Sequence, residues 1–279
     1  MCLRKLGSDL SVRMIPSSIT VVRGTEMNII EKQYQTAKNL NTRISIHDKY
    51  STNHQPFGDW IMSHYALKPG CRILELGCGT GDMWKGKLSL LDGDSYLTLT
   101  DFSSGMLETA KKNIESSALV DFKVVDIQDI PYEDDTFDVV IANMMLYHVP
   151  NLDRGLSEVR RVLKPGGVFY CATYGEHGIM EFINDTLKEY RISGSIGKTF
   201  TLQNGGESLG KHFSKVEKLT REDGLAITYI PDFVDYVLSM SSLSGLESAS
   251  AELLLQAFEK KSVNGTLYVP KEYGMFICG

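Results

Sequence analysis

No run of apolar residues in this 279-residue chain is long enough to cross a membrane as a helix. Its first twenty residues also lack the apolar stretch and small-residue cleavage site of a secretion signal. A cytoplasmic location, with no membrane partner, is the expectation. Cysteine is scarce: Cys2, Cys71, Cys78, Cys171 and Cys278 are odd in number and include no C-x-x-C pair, which argues against a disulfide framework or a structural metal site. Positive charge is in deficit as well. With 29 Lys and Arg against 35 Asp and Glu the formal net charge is −6, so no nucleic-acid partner is expected. Internal repeats and low-complexity tracts are missing, and no sequence feature speaks to oligomeric state. What remains is an ordinary globular composition, 42% hydrophobic and 23% charged, with a small molecule as the expected partner.

Residues 1–28 show little periodic pattern and read as a flexible leader, with Met27-Asn28 as a second possible start. Residues 29–69 read as a helical N-terminal cap, interrupted by the polar stretch His47–Gly58, which is expected to be a loop. From Cys71 onward strand and helix patterns alternate. Short runs of branched and aromatic residues predict strands at Arg72–Leu76, Tyr96–Thr100, Phe122–Val125, Phe137–Ala142 and Val168–Thr173. Ser103 and Asn151 are expected to cap the helices that follow two of them, and Lys164–Gly167 to stop the second helix. Strict alternation implies βαβ units, hence a parallel sheet with helices on both faces. Residues 70–279 are read as one ligand-binding domain with substrate-side insertions near 176–212 and 231–262. A sixth strand is expected within His212–Leu225, helices at 178–190, 204–212 and 248–261, and a last strand near Tyr268–Cys278.

The most informative stretch is Ile73–Asp82, "ILELGCGTGD", an apolar run that breaks into three glycines at alternate positions. Parallel sheets bind ligands outside the carboxyl ends of their strands, where such a turn would lie. The spacing does not fit the dinucleotide fingerprint G-x-G-x-x-G: counted from Gly77 the third position is Asp82, and counted from Gly79 it is Trp84. Carboxylates at Glu75 and Asp82 beside the turn oppose a pyrophosphate and indicate a cationic ligand. Asp101, at the end of the second predicted strand and 20 residues beyond Gly81, can accept hydrogen bonds from a pair of ribose hydroxyls.

Four ordered motifs, "ILELGCGTG", "LTLTDFSSGMLETAKKN", "VVDIQDIPYEDDTFDVVIANMMLYHV" and "LSEVRRVLKPGGVFYCATY", resemble the class I S-adenosylmethionine-dependent methyltransferases, in particular their broad small-molecule group. "YSTN" and Trp60 upstream are similar to a bacterial subgroup of these proteins. The resemblance implies a Rossmann-like α/β fold: a seven-stranded, mostly parallel sheet with the last strand antiparallel and helices on both faces. It also implies S-adenosyl-L-methionine as cofactor. Gly77, Gly79 and Gly81, with Cys78 among them, would pass under the methionine and ribose. Glu75 would fix the turn or reach the ligand amine through water. Phe102 and Met106 would line the adenine slot, Asp126 would accept from the adenine amino group beside the Ile127 amide, and Asn143 would stand near the ligand ammonium.

The sulfonium is already a reactive methyl donor, so holding donor and acceptor in line can supply most of the catalysis, ~7–11 kcal/mol. No nucleophile triad or metal cluster is therefore required. Tyr147 and His148, just past the fourth strand, are the candidates for proton handling, and only a hydroxyl or phenol acceptor would need them. The acceptor surface is expected from the cap and the insertions. Two alternatives stand beside methyl transfer: a non-catalytic S-adenosylmethionine-binding protein, and a nicotinamide-dependent oxidoreductase, which the glycine spacing disfavours.

Overall fold

The computed structural model describes residues 37–114, 117–195, 197–240 and 242–279, with side chains from residue 42 onward. The expected leader 1–28 and the first part of the cap lie outside the described residues.

Seven strands form one sheet: β1 Arg72–Leu76, β2 Tyr96–Asp101, β3 Val120–Val124, β4 Phe137–Ile141, β5 Leu163–Tyr174, β6 Val216–Ile227 and β7 Leu267–Cys278. In space they run β3, β2, β1, β4, β5, β7, β6, and β7 is antiparallel to both of its neighbours. The order reverses between β1 and β4, because the first crossovers step outward in one direction and the later ones in the other. This is the place where an open α/β sheet leaves a crevice for a ligand.

The strands are apolar on both faces because both are covered. Successive residues alternate: Ile73, Leu97, Leu99, Val139 and Ile141 pack with Leu107, Ala110 and Ile114, whereas Leu74, Leu76, Val140 and Phe169 pack with Leu156, Val159 and Val162. The former helix residues lie on or just past α3, Ser104–Asn113, and the latter on α4, Leu152–Val162. Both expected caps form. Ser103 Oγ accepts the Met106 amide and Asn151 Oδ1 the Arg154 amide.

Two local expectations need correction. Lys164–Gly167 does not end the second helix, which stops at Val162; strand β5 already begins at Leu163 and shifts register against β4 between Phe137 and Val139. Gly167 makes the shift possible, since a Cβ there would stand 2.9 Å from the Asp138 carbonyl oxygen. His47–Gly58 is not one loop either. The helix α1, Ala37–Tyr50, runs on through His47, and α2, Phe57–Met62, already includes Gly58. The residues between them are strapped to the edge strand: the Thr52 amide donates to the Gly224 carbonyl at 2.9 Å, and Asn53 Nδ2 to the Glu222 carbonyl at 3.0 Å.

A further apolar cluster lies beyond the sheet. Ile46 of α1 packs there with α5 (Ile179–Leu187), α7 (Ile230–Leu238) and α8 (Ala251–Glu259), while the short α6, Gly205–Gly210, stays with the sheet. The insertions thus form a body that α1 closes over, above the carboxyl ends of the strands.

Candidate functional site

The glycine turn follows β1, with φ of 70° at Gly77, 57° at Gly79 and 77° at Gly81. The three positions serve different ends. A Cβ on Gly77 would come within 2.9 Å of the Met145 side chain, and one on Gly81 within 2.8 Å of Ile114 Cδ1. Gly81 therefore lets the turn seat against the end of α3. A Cβ on Gly79 would meet nothing within 4 Å, because that face opens into a cavity.

The neighbouring strand end holds this turn in place. Asp101 Oδ2 accepts the Gly79 amide at 2.9 Å, and Oδ1 accepts the Ser103 amide at 2.8 Å. Each oxygen keeps a further acceptor position, and the residue lines the cavity. Burial pushes the Asp101 carboxyl up from the usual aspartate range, and the Ser103 and Gly79 amides oppose that rise.

The cavity has a volume of about 1060 Å³, at the upper end for a small-molecule site, and so has room for two small molecules side by side. At its sheet end stand Gly77, Cys78, Gly79, Asp101, Phe102, Met106, Asp126, Ile127 and Asn143. Phe102 presents a 48% exposed ring there, while Met106 is buried. The sequence-selected residues are therefore brought together, with two exceptions. Gly81 is taken up by packing, as above. Glu75 is 2% exposed and accepts the Trp84 indole N–H, so its carboxylate does not border the cavity. Burial pushes Glu75 up to about 7, with the Trp84 bond opposing the rise.

Two of the grouped side chains also have local duties. Asp126 Oδ1 accepts the Gln128 amide at 2.8 Å and so closes its own turn. Asn143 donates to the Tyr65 hydroxyl at 2.6 Å and accepts the Ala172 amide at 3.1 Å, so what its segment turns toward the cavity is backbone. The next residue, Met144, has φ of 54°, an uncommon conformation for a side chain of this size and one that clusters at functional sites.

Tyr147 and His148 border the middle of the cavity, between its sheet end and the cap. The Tyr147 ring lies 4.5 Å from that of His148 and 4.4 Å from that of Tyr174. Burial, and then the Arg43 guanidinium, lower His148 to about 4, so its imidazole is uncharged at neutral pH.

The sequence placed the acceptor surface on the cap and the insertions, with aromatics such as Phe57 and Tyr236, but gave no sign of the charged residues at the cap end. Arg43, His47, Ser51, Phe57, Tyr236, Lys271 and Tyr273 line it. Asp223 and Lys271 are cross-strand partners on β6 and β7, as are Arg221 and Tyr273, so the four side chains share one face of that ribbon. Asp223 pairs with both cations, and its side chain is fully buried. Burial would raise the Asp223 carboxyl, but the hydrogen bonds from Lys271 and the Asn53 amide more than reverse this and leave it below the usual range. Pairs 48 residues apart leave no motif; only a hairpin register correct to the residue would have exposed them.

Residues 74–171 match the family described as a methyltransferase domain. A demethylmenaquinone methyltransferase of Symbiobacterium thermophilum is 36% identical over 152 residues, covering 50% of this chain and 60% of that protein. The match therefore spans less than two thirds of the relative's length. Among solved structures, a Haemonchus contortus phosphoethanolamine N-methyltransferase in complex with S-adenosyl-L-methionine superposes with a TM-score of 0.54 at 18% identity, covering 87% of this chain and 57% of that one. A protein of Bacillus halodurans assigned as a methyltransferase gives 0.53 at 20% identity, covering 79% and 96%. These two likenesses concern the fold, which is that of the class I methyltransferases.

Proposed function

We infer that this chain, whose residues 74–171 form a methyltransferase domain, transfers the methyl group of S-adenosylmethionine to a small-molecule acceptor. The observation that carries this reading is the pairing of Gly79 with Asp101. A glycine with positive φ and open space above it is bonded through its amide to a carboxylate that keeps acceptor capacity on the same cavity. That arrangement suits a nucleoside whose ribose bonds the acid and whose sulfur-bearing arm crosses the glycines. The apolar wall of Phe102 and Met106 next to Asp101 fits a flat base. When bound, the cofactor supplies a methyl group on a positively charged sulfur, which needs no further activation.

The chain's own contribution is to bind, orient and exclude water. Gly77, Cys78 and Gly79 form the floor, and Asp126 and Ile127 border the base side. The backbone at Asn143 and Met144 offers carbonyl groups near a ligand ammonium. Glu75 supports the turn from beneath through Trp84 and takes no direct part. Tyr147 and His148 wall the acceptor side; with its low basicity, His148 serves there as a neutral hydrogen-bonding group. The cap α1 and the strap after it close the remaining side, where they keep solvent from the reacting atoms.

Titration calorimetry with S-adenosylmethionine, S-adenosylhomocysteine and NADH tests the reading. Binding of the first two and not the third is expected. Preference for NADH would replace methyl transfer by hydride transfer, and tight cofactor binding without turnover to S-adenosylhomocysteine across a broad acceptor panel would reduce the chain to a binding protein.

A further inference from the structure

The charges at the cap end of the cavity do not cancel. Arg221, Asp223 and Lys271 are all buried, and among the described residues Asp223 is the one acid paired with either cation. The trio therefore holds one net positive charge out of water, which is costly unless something negative arrives to meet it. Its spare hydrogen-bonding capacity is all of one kind. Lys271 spends one N–H on Asp223 and one on Ser51 Oγ, at 2.7 Å, which leaves a third. Ser51, having accepted that hydrogen bond, still has its own hydroxyl hydrogen to give. His47, whose ring is 5.9 Å from Tyr273, has a buried Nδ1 with no hydrogen-bond partner.

Acids near this end do not neutralise the charge. Glu272 also borders the cavity, but it follows Lys271 on β7 and so points away from that lysine, and its oxygens are engaged by the Gln203 side chain and the His177 amide at 2.8 Å each. Asp48 also borders the cavity and acts on Lys271 through space. It is exposed, however, where water screens it, and it makes no ion pair with that lysine among the described residues. Around the donors stand flat rings: Tyr236 edge-on to His47 at 6.0 Å, and Phe57 at 5.2 Å from Tyr273.

We propose that the cap end of the cavity is an anion site, built by Lys271, Ser51 and His47, and that the methyl acceptor is an aromatic molecule bearing an acidic group that docks there. This deepens the methyl-transfer reading and rests on it. The acid would satisfy the third Lys271 proton and the Ser51 hydroxyl together and, with His47 in its Nδ1–H tautomer, the orphaned imidazole nitrogen as well. The aromatic body would then extend past Tyr236 and Tyr273 toward Tyr147 and the sheet end, where the methyl group is delivered.

The test uses the full chain saturated with S-adenosylhomocysteine, so that the cofactor half is filled. Benzoate and phenyl phosphate are titrated beside methyl benzoate and benzyl alcohol as neutral counterparts. At least one acid is expected to bind tenfold or more tightly than its neutral counterpart, and the stronger of the two tells a carboxylate from a phosphate site. Lys271→Met should abolish that preference, by about tenfold to a hundredfold. Ser51→Ala should reduce it several-fold while leaving Asp223 both of its cations, and so tests the site even if the lysine variant fails to fold. Equal binding of acids and neutral compounds, no binding of either acid, or an undiminished preference in Ser51→Ala would overturn the proposal. The S-adenosylhomocysteine isotherm on the same samples separates the two claims. Its absence defeats methyl transfer, whereas an intact isotherm without acid preference defeats the anion site alone.

Discussion

Replacing Asp101 by Ala removes two amide-to-carboxylate bonds, from Gly79 at 2.9 Å and Ser103 at 2.8 Å. Bonds to a charged acceptor are worth about 1.5–3 kcal/mol each, and because the position is only partly buried these sit at the low end, so folding would lose about 3 kcal/mol from this source. Part of that returns, since burial disfavours the ionised carboxyl and the variant no longer bears that cost. A net loss of about 1–2 kcal/mol, or roughly 2–8 °C in Tm for a chain of this size, is expected. The ligand adds a separate effect: losing the ribose acceptor should weaken S-adenosylhomocysteine binding about tenfold to a hundredfold. Calorimetry on the folded variant, with thermal denaturation alongside, reads the two independently. A lowered Tm with an unchanged Kd would show that Asp101 only ties the glycine turn, and would refute its assignment to the cofactor.

Gly79→Val and Gly81→Ala should diverge: the first places carbon in open cavity space and should abolish cofactor binding with moderate loss of stability, while the second drives a Cβ into Ile114 and should chiefly lower Tm. Similar behaviour of the two in calorimetry and thermal melts would contradict the division of labour along the turn. Glu75→Gln tests the buried acid: with Glu75 raised to about 7, its contribution to stability is fully present below the unfolded value near 4.5 and is lost as pH rises toward 7. The variant, still able to accept from Trp84, should gain on the wild type by about 2 kcal/mol more at pH 8 than at pH 5.5 in urea denaturation; a pH-independent difference would mean that Glu75 stays ionised in the fold. His148→Gln should keep turnover within a few-fold, with an acceptor found by formation of S-adenosylhomocysteine, because an imidazole lowered to about 4 is a poor base at neutral pH. A loss of about 10²–10⁴-fold with unchanged cofactor affinity would reinstate His148 as the base.

The sheet was legible because its strands sit between helices and carry unbroken apolar runs, and the sheet end of the site because a strand end and a glycine turn are local features. Ser103 and Asn151 were readable for the same reason, as each caps a residue three positions on. Where the reading strayed, the cause was tertiary. His47–Tyr50 looks polar in sequence, yet Ile46 is buried beyond the sheet and holds that turn of helix in place. Lys164–Gly167 carries stop signals, but pairing with β4 draws it into a strand, where Gly167 clears the Asp138 carbonyl. Glu75 drew notice as an acid beside the turn; its partner, Trp84, lies nine residues on, and nothing in the sequence marks the pair.

The Asp223 knot does more than assemble charge. Besides Lys271 and Arg221, Asp223 accepts the Asn53 amide at 3.1 Å, while Arg221 reaches the Gln55 carbonyl and Lys271 reaches Ser51, so one buried acid fastens the whole strap to the edge hairpin. A latch made of exposed ion pairs would loosen as ionic strength rises. Here the three charged side chains are at most 2% exposed, so screening of their mutual contacts by bulk salt is weak. The roof over the cap end of the cavity therefore has a fastening that responds little to salt. Detachment of the strap, read by amide hydrogen exchange at Thr52 and Asn53, should be nearly flat across a salt series that would loosen an exposed ion pair.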